Sequence, residues 1–581
     1  MQPLMMNKDR HYQAILNDLA ERLSVEADQV KQELDFQTYK LFFQTGNRSQ
    51  YEEIYFRKRK RLTALALLLL DQPENQSYQQ QLENIIFSIC QEFTWCLPAH
   101  IDRSREENAS KKSYTLDLFN CETAFTLAEV TALLSEYLTP ALLNIVRANI
   151  HERVFVPYLN NGPYHWEESH DNWAAVCASS IGATAIYLIE DENVCLQIIE
   201  RVKRTLTYYL NGFGDDGACL EGLQYWQYGF RYFTYFAELL SRYTDGKDNL
   251  LLEQKIARIA AFQQKMYLEQ DHVVNFSDAP AQQSPAYDLA YFYQLRFPEM
   301  IDYPPGDVSS DTLIDHCGRW PQAYRQLAWR HSNLKQHSWS TGEYWLADAQ
   351  LLIIRKPCFQ FAVKGGHNQE PHNHNDLGHF ILYSHGQPYF IDLGAGEYTR
   401  DYFSDKRYQL LQPSSLGHSV PIICGEPQKT GRSAYAISQV REIKPFEEIT
   451  FVLTEAYQVS QLEHFTRQFN LNSDQATLTL TDHYHFTEAN QEVTETFILA
   501  NLPYSQTGHQ LILTGAQNDL KIIWSEEISE VKLDPIEYKD HFGQHQSALK
   551  LQLSFSVTQT SYTFKLDFLL IAGKEEKRAF C

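Results

Sequence analysis

Residues 549–557 read LKLQLSFSV, and their strict alternation decides how the second half of the chain folds. Leu549, Leu551, Leu553, Phe555 and Val557 fall on one side of an extended strand, and Lys550, Gln552, Ser554 and Ser556 on the other, which is the pattern of a sheet with one wet face. Residues 477–481 and 562–568 repeat the theme. Towards the N-terminus the period lengthens: Ile199, Val202, Leu206 and Tyr209 recur at three- and four-residue steps and share one helix face. Further amphipathic stretches cover 12–43, 79–93, 125–148, 173–189, 225–243 and 251–268, separated by turns rich in Gly, Asn, Asp and Pro, which predicts a succession of helical hairpins. The chain thus reads as multidomain, α then β. A helical domain spans 1–305, a linker with some helix opens at Pro304, Pro305 and Gly306 and covers 306–343, and an antiparallel β-domain fills 344–581.

A chain of 581 residues is too long for one core and long enough for two or three domains. Its 44% hydrophobic and 21% charged residues are those of a folded globular protein. A net charge of -23 speaks against a nucleic-acid partner, which wants a basic footprint. It does not exclude an anionic sugar, because local donors in a cleft set specificity while net charge sets solubility. The N-terminal residues carry Lys8 and Arg10 but no apolar core or small-residue cleavage site, so a cytoplasmic protein is expected. Leu62–Leu70, after the basic run 57–61, is about half as long as a membrane span and reads as a buried helix. Ten cysteines without a CxxC pair predict neither disulfides nor a cysteine metal site.

The densest polar cluster runs GGHNQEPHNHNDLGH over 365–379, followed by YFIDLG over 389–394. In an extended segment His372, His374 and Asp376 project to one side and can converge on one ion or one substrate. Imidazole with carboxylate suits zinc or manganese. A lone histidine is most often satisfied by backbone or water, but four within 367–379 favour a functional cluster. A second constellation is SHDNW over 169–173, leading into a small-residue helix, where capping is the bland reading. The third is DDGACLEGLQY over 215–225, continuing to Tyr228 and Tyr232 on one helix face, where packing is the bland reading.

Together these segments resemble the heparinase II/III-like polysaccharide lyases. The resemblance rests on the Asn-Trp pair 172–173 with its small-residue helix, the Asp-Gly-(x)3-Glu-Gly-(x)2-Tyr turn 216–225, and the His-x-His of 372–374 with downstream Ile-Asp-x-Gly (391–394) and Ser-(x)2-His (415–418). It implies an N-terminal (α/α) incomplete toroid followed by a C-terminal antiparallel β-sandwich. It implies β-elimination on uronic-acid-containing glycans, glycosaminoglycans first and alginate oligomers next. By position it implies that Asn172 neutralises the uronate carboxylate, that Tyr225 is the general acid, and that His372 is a base or charge-stabilising group. It further implies that His374, Asp392 and His418 hold a divalent metal, zinc or manganese, in a structural role. His170, Trp173, Glu221, Tyr232 and Tyr398 are the expected substrate contacts. Two departures stand out. Relatives that carry a second His beside the Asn have Trp173 at that place here, which leaves the base open between Tyr225 and His372, and Ser419 stands where many have Asn.

The chemistry explains the donor set. Removing the C5 proton of a uronate loads charge onto an existing carboxylate, so a donor such as Asn172 that binds the developing dianion better than the ground state accelerates the step. Two other readings stay open: an inverting glycoside hydrolase drawing its carboxylates from Asp215, Asp216 and Glu221, and a non-catalytic glycan-binding protein.

Overall fold

The computed structural model describes residues 4, 6–26, 33–101, 115–331, 338–441 and 444–572. They divide into two compact units. One comprises 1–213, 225–260 and 286–337; the other comprises 214–224, 261–285 and 338–581.

The first unit is helical, and its helix starts are written locally. Asp117 caps Leu118–Leu133 by accepting the Asn120 amide, Asp171 caps Asn172–Leu188 through Trp173, and Asp191 caps Glu192–Asn211 through Asn193 and Val194. Pro140 at the first turn of Pro140–Ile150 splits the stretch read as 125–148 into two helices. Asn172–Leu188 is buried almost all round, so it is a central helix, whereas Glu192–Asn211 buries a single stripe. The short turn 189–191 sends these two back to back. The next helix, Leu223–Tyr243, returns in the first direction: a Cβ at Gly229 would meet the Asn172 Cα at 3.2 Å, and one at Gly182 would meet the Phe236 ring at 2.4 Å, so the two chains ascend together. Alternation between buried and outer helices is the (α/α) arrangement expected.

The linker expectation for 306–343 is corrected. Ser310–Leu313 and Trp320–Ala328 are helices of the helical unit, and Trp320 Nε1 and Arg325 Nη2 donate to Glu129 at 2.9 and 2.8 Å in its interior. Trp320–Ala328 buries Trp320, Ala323, Tyr324 and Leu327 on one face, but at 9 residues it is too short to stand out from the turns around it. The helix read over 251–268 also stops early: Phe262–Met266 gives way to a hairpin of Tyr267–Glu269 with His272–Val273 that belongs to the second unit.

That second unit is a sandwich of two antiparallel sheets. One runs Ile437–Val440, Glu448–Val452, Leu462–Asn472, Thr477–Phe486, Ser561–Ala572, Asn518–Trp524, Gln510–Thr514, Tyr504–Thr507. The other runs Glu530–Lys539, His545–Val557, Gln491–Ala500, Gln387–Phe390, Phe380–Ser384, Phe359–Lys364, Leu351–Lys356, Gly342–Leu346. The alternation of 549–557 holds: Leu549, Leu551, Leu553, Phe555 and Val557 all lie in the core shared by the two sheets, with Leu551 opposite Phe497 and Phe555 opposite Val493. Sheet pairing fixes the strands on either side of the histidine segment and leaves 369–379 as turns and irregular chain.

Candidate active site

In the β-unit, His374, Asp392 and His418 bring one donor atom each within 4.8 Å of one another, all three side chains fully buried. None sits in a strand: His374 precedes Phe380–Ser384, Asp392 follows Gln387–Phe390, and His418 follows a one-turn helix at Ser415–Gly417. Their remaining atoms are spoken for. His374 Nε2 lies 3.0 Å from Asp278 Oδ1, and Asp392 Oδ1 accepts the Gly394 amide at 2.7 Å. That leaves His374 Nδ1, Asp392 Oδ2 and both His418 nitrogens buried with no hydrogen bond. Orphaned buried polar atoms are costly unless a ligand fills the gap, and two imidazoles with a carboxylate are a donor set for a borderline divalent cation. The three residues therefore fit the metal that the sequence implied.

The electrostatics agree. Burial lowers His374, against the pull of Asp278, and keeps it neutral. Burial would raise Asp392, but His418 and His379 outweigh it and hold the carboxyl well below its ordinary range. His418 is raised by Asp392 against its own desolvation, so a cation there competes with a proton. The fourth histidine stands beside this group: His379 Nδ1 accepts the Ser419 amide at 2.9 Å, and its Nε2 lies 3.2 Å from Asp392 Oδ2 without hydrogen-bond geometry.

The one-sided reading of His372, His374 and Asp376 is overturned. His372 takes a left-handed backbone, φ +55°, which breaks the extended alternation. Asp376 turns to Lys364, 3.0 Å away. His372 instead leaves the ligand group: its Nδ1 lies 2.8 Å from Asp278 Oδ2, and its Nε2 is 3.9 Å from Glu221 Oε1. Asp278 also accepts from Tyr402 and from Arg407 Nη2 at 3.1 Å. Tyr398 lies beside this group, its ring 6.5 Å from His372 and 4.8 Å from Phe403. Phe403 and Phe542, in the same aromatic run, are 54% and 60% exposed. Asp278, Arg407 and Tyr402 went unseen in the sequence, since NFSDAPA over 275–281 has no motif and sits far along the chain from its partners.

In the helical unit, Asn172 is the first residue of its helix, and the close approach at Gly229 brings its backbone against the helix that carries Tyr225 one turn earlier. Trp173 packs at a tilt against His100 and His165, with ring centroids at 5.0 and 5.4 Å. His170 is exposed, 6.3 Å from the Tyr208 ring. Tyr232 is 1% exposed, as Asn172 is, and packs among the rings of Phe125, Tyr228 and Tyr235. Tyr228 donates to Glu122, over which Arg319 also closes at 3.0 Å. Asp315, His316 and Cys317 offer three donors at ligand distance, but Arg319 Nη1 already sits 2.6 Å from Asp315. Asp216 spends both oxygens on the amides of Asp348, Ala349 and Ala218, the nearest two at 2.8 Å, and so works as a turn clamp.

Residues 347–568 match the sequence family described as Heparinase II/III-like, C-terminal. His374, Asp392 and His418 all lie within the matched residues. Among solved structures the chain resembles Heparinase III, with 12% identity, 98% of this chain and 93% of that one covered and a TM-score of 0.62. It also resembles a heparan sulfate lyase of Pedobacter heparinus, with 14% identity, 97% and 88% coverage and a TM-score of 0.59. A chondroitin AC lyase of Streptomyces coelicolor A3 aligns at 10% identity, 99% and 82% coverage and a TM-score of 0.57. No curated protein sequence matches. At identities this low, the likeness shows a shared fold alone. Among the described residues no helix is long and apolar enough to cross a membrane.

Proposed function

We propose that the protein is a polysaccharide lyase that cleaves uronic-acid-containing glycans by β-elimination, with glycosaminoglycans the first substrate class and alginate oligomers the second. The observation that carries the reading is His372, turned out of the ligand group by a left-handed backbone and held by a buried carboxylate beside Glu221 and a run of aromatic rings. An imidazole held by a carboxylate at one nitrogen is equipped to handle a proton at the other.

In the proposed reaction Asn172 hydrogen-bonds the uronate carboxylate and stabilises the charge that builds as the C5 proton leaves. Tyr225 or His372 takes that proton. The C–H pair becomes the C4–C5 double bond, the C4–O4 bond breaks, and the departing O4 receives a proton from Tyr225. Trp173, Tyr398 and Phe403 offer faces for sugar rings. A cation held by His374, Asp392 and His418 supplies positive charge that ties three loop segments together, so its role is structural. The hydrolase reading loses ground because Asp216 is committed to backbone amides.

The test offers heparan sulfate, chondroitin sulfate, hyaluronan and alginate in turn and follows the ultraviolet absorbance of the unsaturated uronate. One class should give product, and Tyr225→Phe and His372→Ala should each lower the rate at least about 100-fold. Saturated products formed with uptake of water would replace this reading with hydrolysis.

A further inference from the structure

The segment 275–278, just past the short hairpin of the β-unit, touches Asp392, His379, His372 and His374. Asn275 Nδ2 donates to the Asp392 carbonyl at 3.1 Å, and the Phe276 ring packs on His379 at 5.5 Å. Asp278 follows, its side chain fully buried. Its two oxygens are divided between two imidazoles: Oδ2 faces His372 Nδ1 at 2.8 Å, and Oδ1 faces His374 Nε2 at 3.0 Å. Arg407 Nη2 reaches both oxygens, at 3.2 and 3.1 Å, and supplies the compensating charge that makes burial of the carboxylate tolerable.

We infer that Asp278 is the positioning residue of the site, a single carboxylate that holds the substrate-facing imidazole His372 and the metal-ligand imidazole His374 in opposite tautomers. Its role towards substrate rests on the lyase reading above; its role towards the two imidazoles does not.

The argument is one of donors. An ionised carboxylate only accepts, so each imidazole must present an N–H to it. His372 therefore carries its proton on Nδ1, which makes Nε2, on the Glu221 side, the unprotonated nitrogen. His374 carries its proton on Nε2, which leaves Nδ1 for the ligand group, the atom found without a hydrogen bond. The same chain atoms would do neither job with the tautomers exchanged. A carboxylate behind a metal-bound histidine sets ring orientation and ligand basicity; here that carboxylate is shared with the proton-handling group. Sharing also explains how His372 keeps φ +55°, since a strained non-glycine backbone persists only where its surroundings over-determine it. The consequence is mechanical coupling. A change at the ion moves His374, then Asp278, then His372.

The experiment uses the full chain and Asp278→Asn, whose amide keeps the shape but cannot accept from both rings. Histidine labelled with 13C and 15N, with the His372 signal assigned through His372→Gln, reports the tautomer without substrate. Zinc retained after dialysis against a competing chelator reports the ligand side. Wild-type protein should show His372 as the Nδ1–H form. Asp278→Asn should lose that signature, bind zinc about 10- to 100-fold more weakly, and lose kcat by at least about 100-fold with KM changed less than about threefold. An Nε2–H His372 in wild type overturns the inference without any variant. So does Asp278→Asn with the wild-type tautomer and zinc retention. A wild-type protein inert on every uronate glycan, with tautomer and zinc both shifted in the variant, upholds the positioning role and sinks the lyase reading instead.

Discussion

At the scale of single residues, Glu370 shows how the histidine loop stores pH sensitivity. Burial raises its carboxyl to about 7, partly offset by Lys364 and pushed further by Asp376. The unfolded value is about 4.3. The folded state thus holds the proton more tightly, so stability from this group is complete below about pH 4 and is lost as pH rises through about 7. Glu370→Gln removes the penalty: it should be more stable than wild type at pH 8 by roughly 3 kcal/mol, with a higher melting temperature, and the two should converge only near pH 4. Parallel melting curves at both pH values would refute this. The residue scale also marks what the sequence could reveal. His374, Asp392 and His418 were legible because their motifs fall in a recognisable order, and the structure gathers those three. Asp278 was not, because its partners lie 94 and 96 positions away and the intervening chain gives no spacing rule. The alternation argument failed at His372 for a local reason: one left-handed residue reverses the facing of all that follow.

At the scale of elements, the helices were readable where apolar stripes were long and unreadable where, as in the 9 residues of Trp320–Ala328, the stripe was short. Glu192–Asn211 declares itself through its stripe, whereas Trp320–Ala328, anchored on Glu129 through Arg325, looked like a linker. Glycine in the middle of Leu223–Tyr243 is a different signal, with a definite use. Gly229 lets that helix close on the start of Asn172–Leu188, because a Cβ there would meet the Tyr209 hydroxyl at 2.8 Å and the Asn172 Cα at 3.2 Å. Gly229→Ala must push the two helices apart by a few tenths of an ångström, at a cost of about 1–3 kcal/mol. Since Tyr225 stands one turn away and Asn172 is the residue pushed, turnover should fall more than stability suggests, at least about tenfold in kcat/KM. A variant with a lower melting temperature and unchanged kcat/KM would show that this helix contact does not position the two residues.

At the scale of the molecule, the sandwich fixes the histidine loops by two clasps with different chemistry. One is the group of His374, Asp392 and His418; a cation held there, as proposed, would bind the folded state alone, so chelation should lower the melting temperature by several degrees while the strand signal in far-ultraviolet circular dichroism persists. The other is Arg467, fully buried between the sheets. It reaches Asp482 at 2.6 Å in its own sheet and Glu495 at 2.9 Å in the opposite one, and its Nη1 donates to the Ser419 carbonyl at 2.7 Å and the Gly378 carbonyl at 3.3 Å. Those carbonyls flank His418 and His379. Arg467→Met leaves two carboxylates buried without their cation and two carbonyls without a donor, a loss of about 3–5 kcal/mol. Burial and the Asp482 charge already push Glu495 well up, so the stranded pair cannot ionise together. If charge burial is the cost, adding Asp482→Leu and Glu495→Met to Arg467→Met should recover most of the sandwich's stability, because a well-packed apolar trio replaces a buried ionic one at little loss. Zinc retention should stay low in that triple variant, because no apolar side chain restores the donor to Ser419 and Gly378. Recovery of both together would mean that the guanidinium holds the sheets and leaves the ligand loops to themselves.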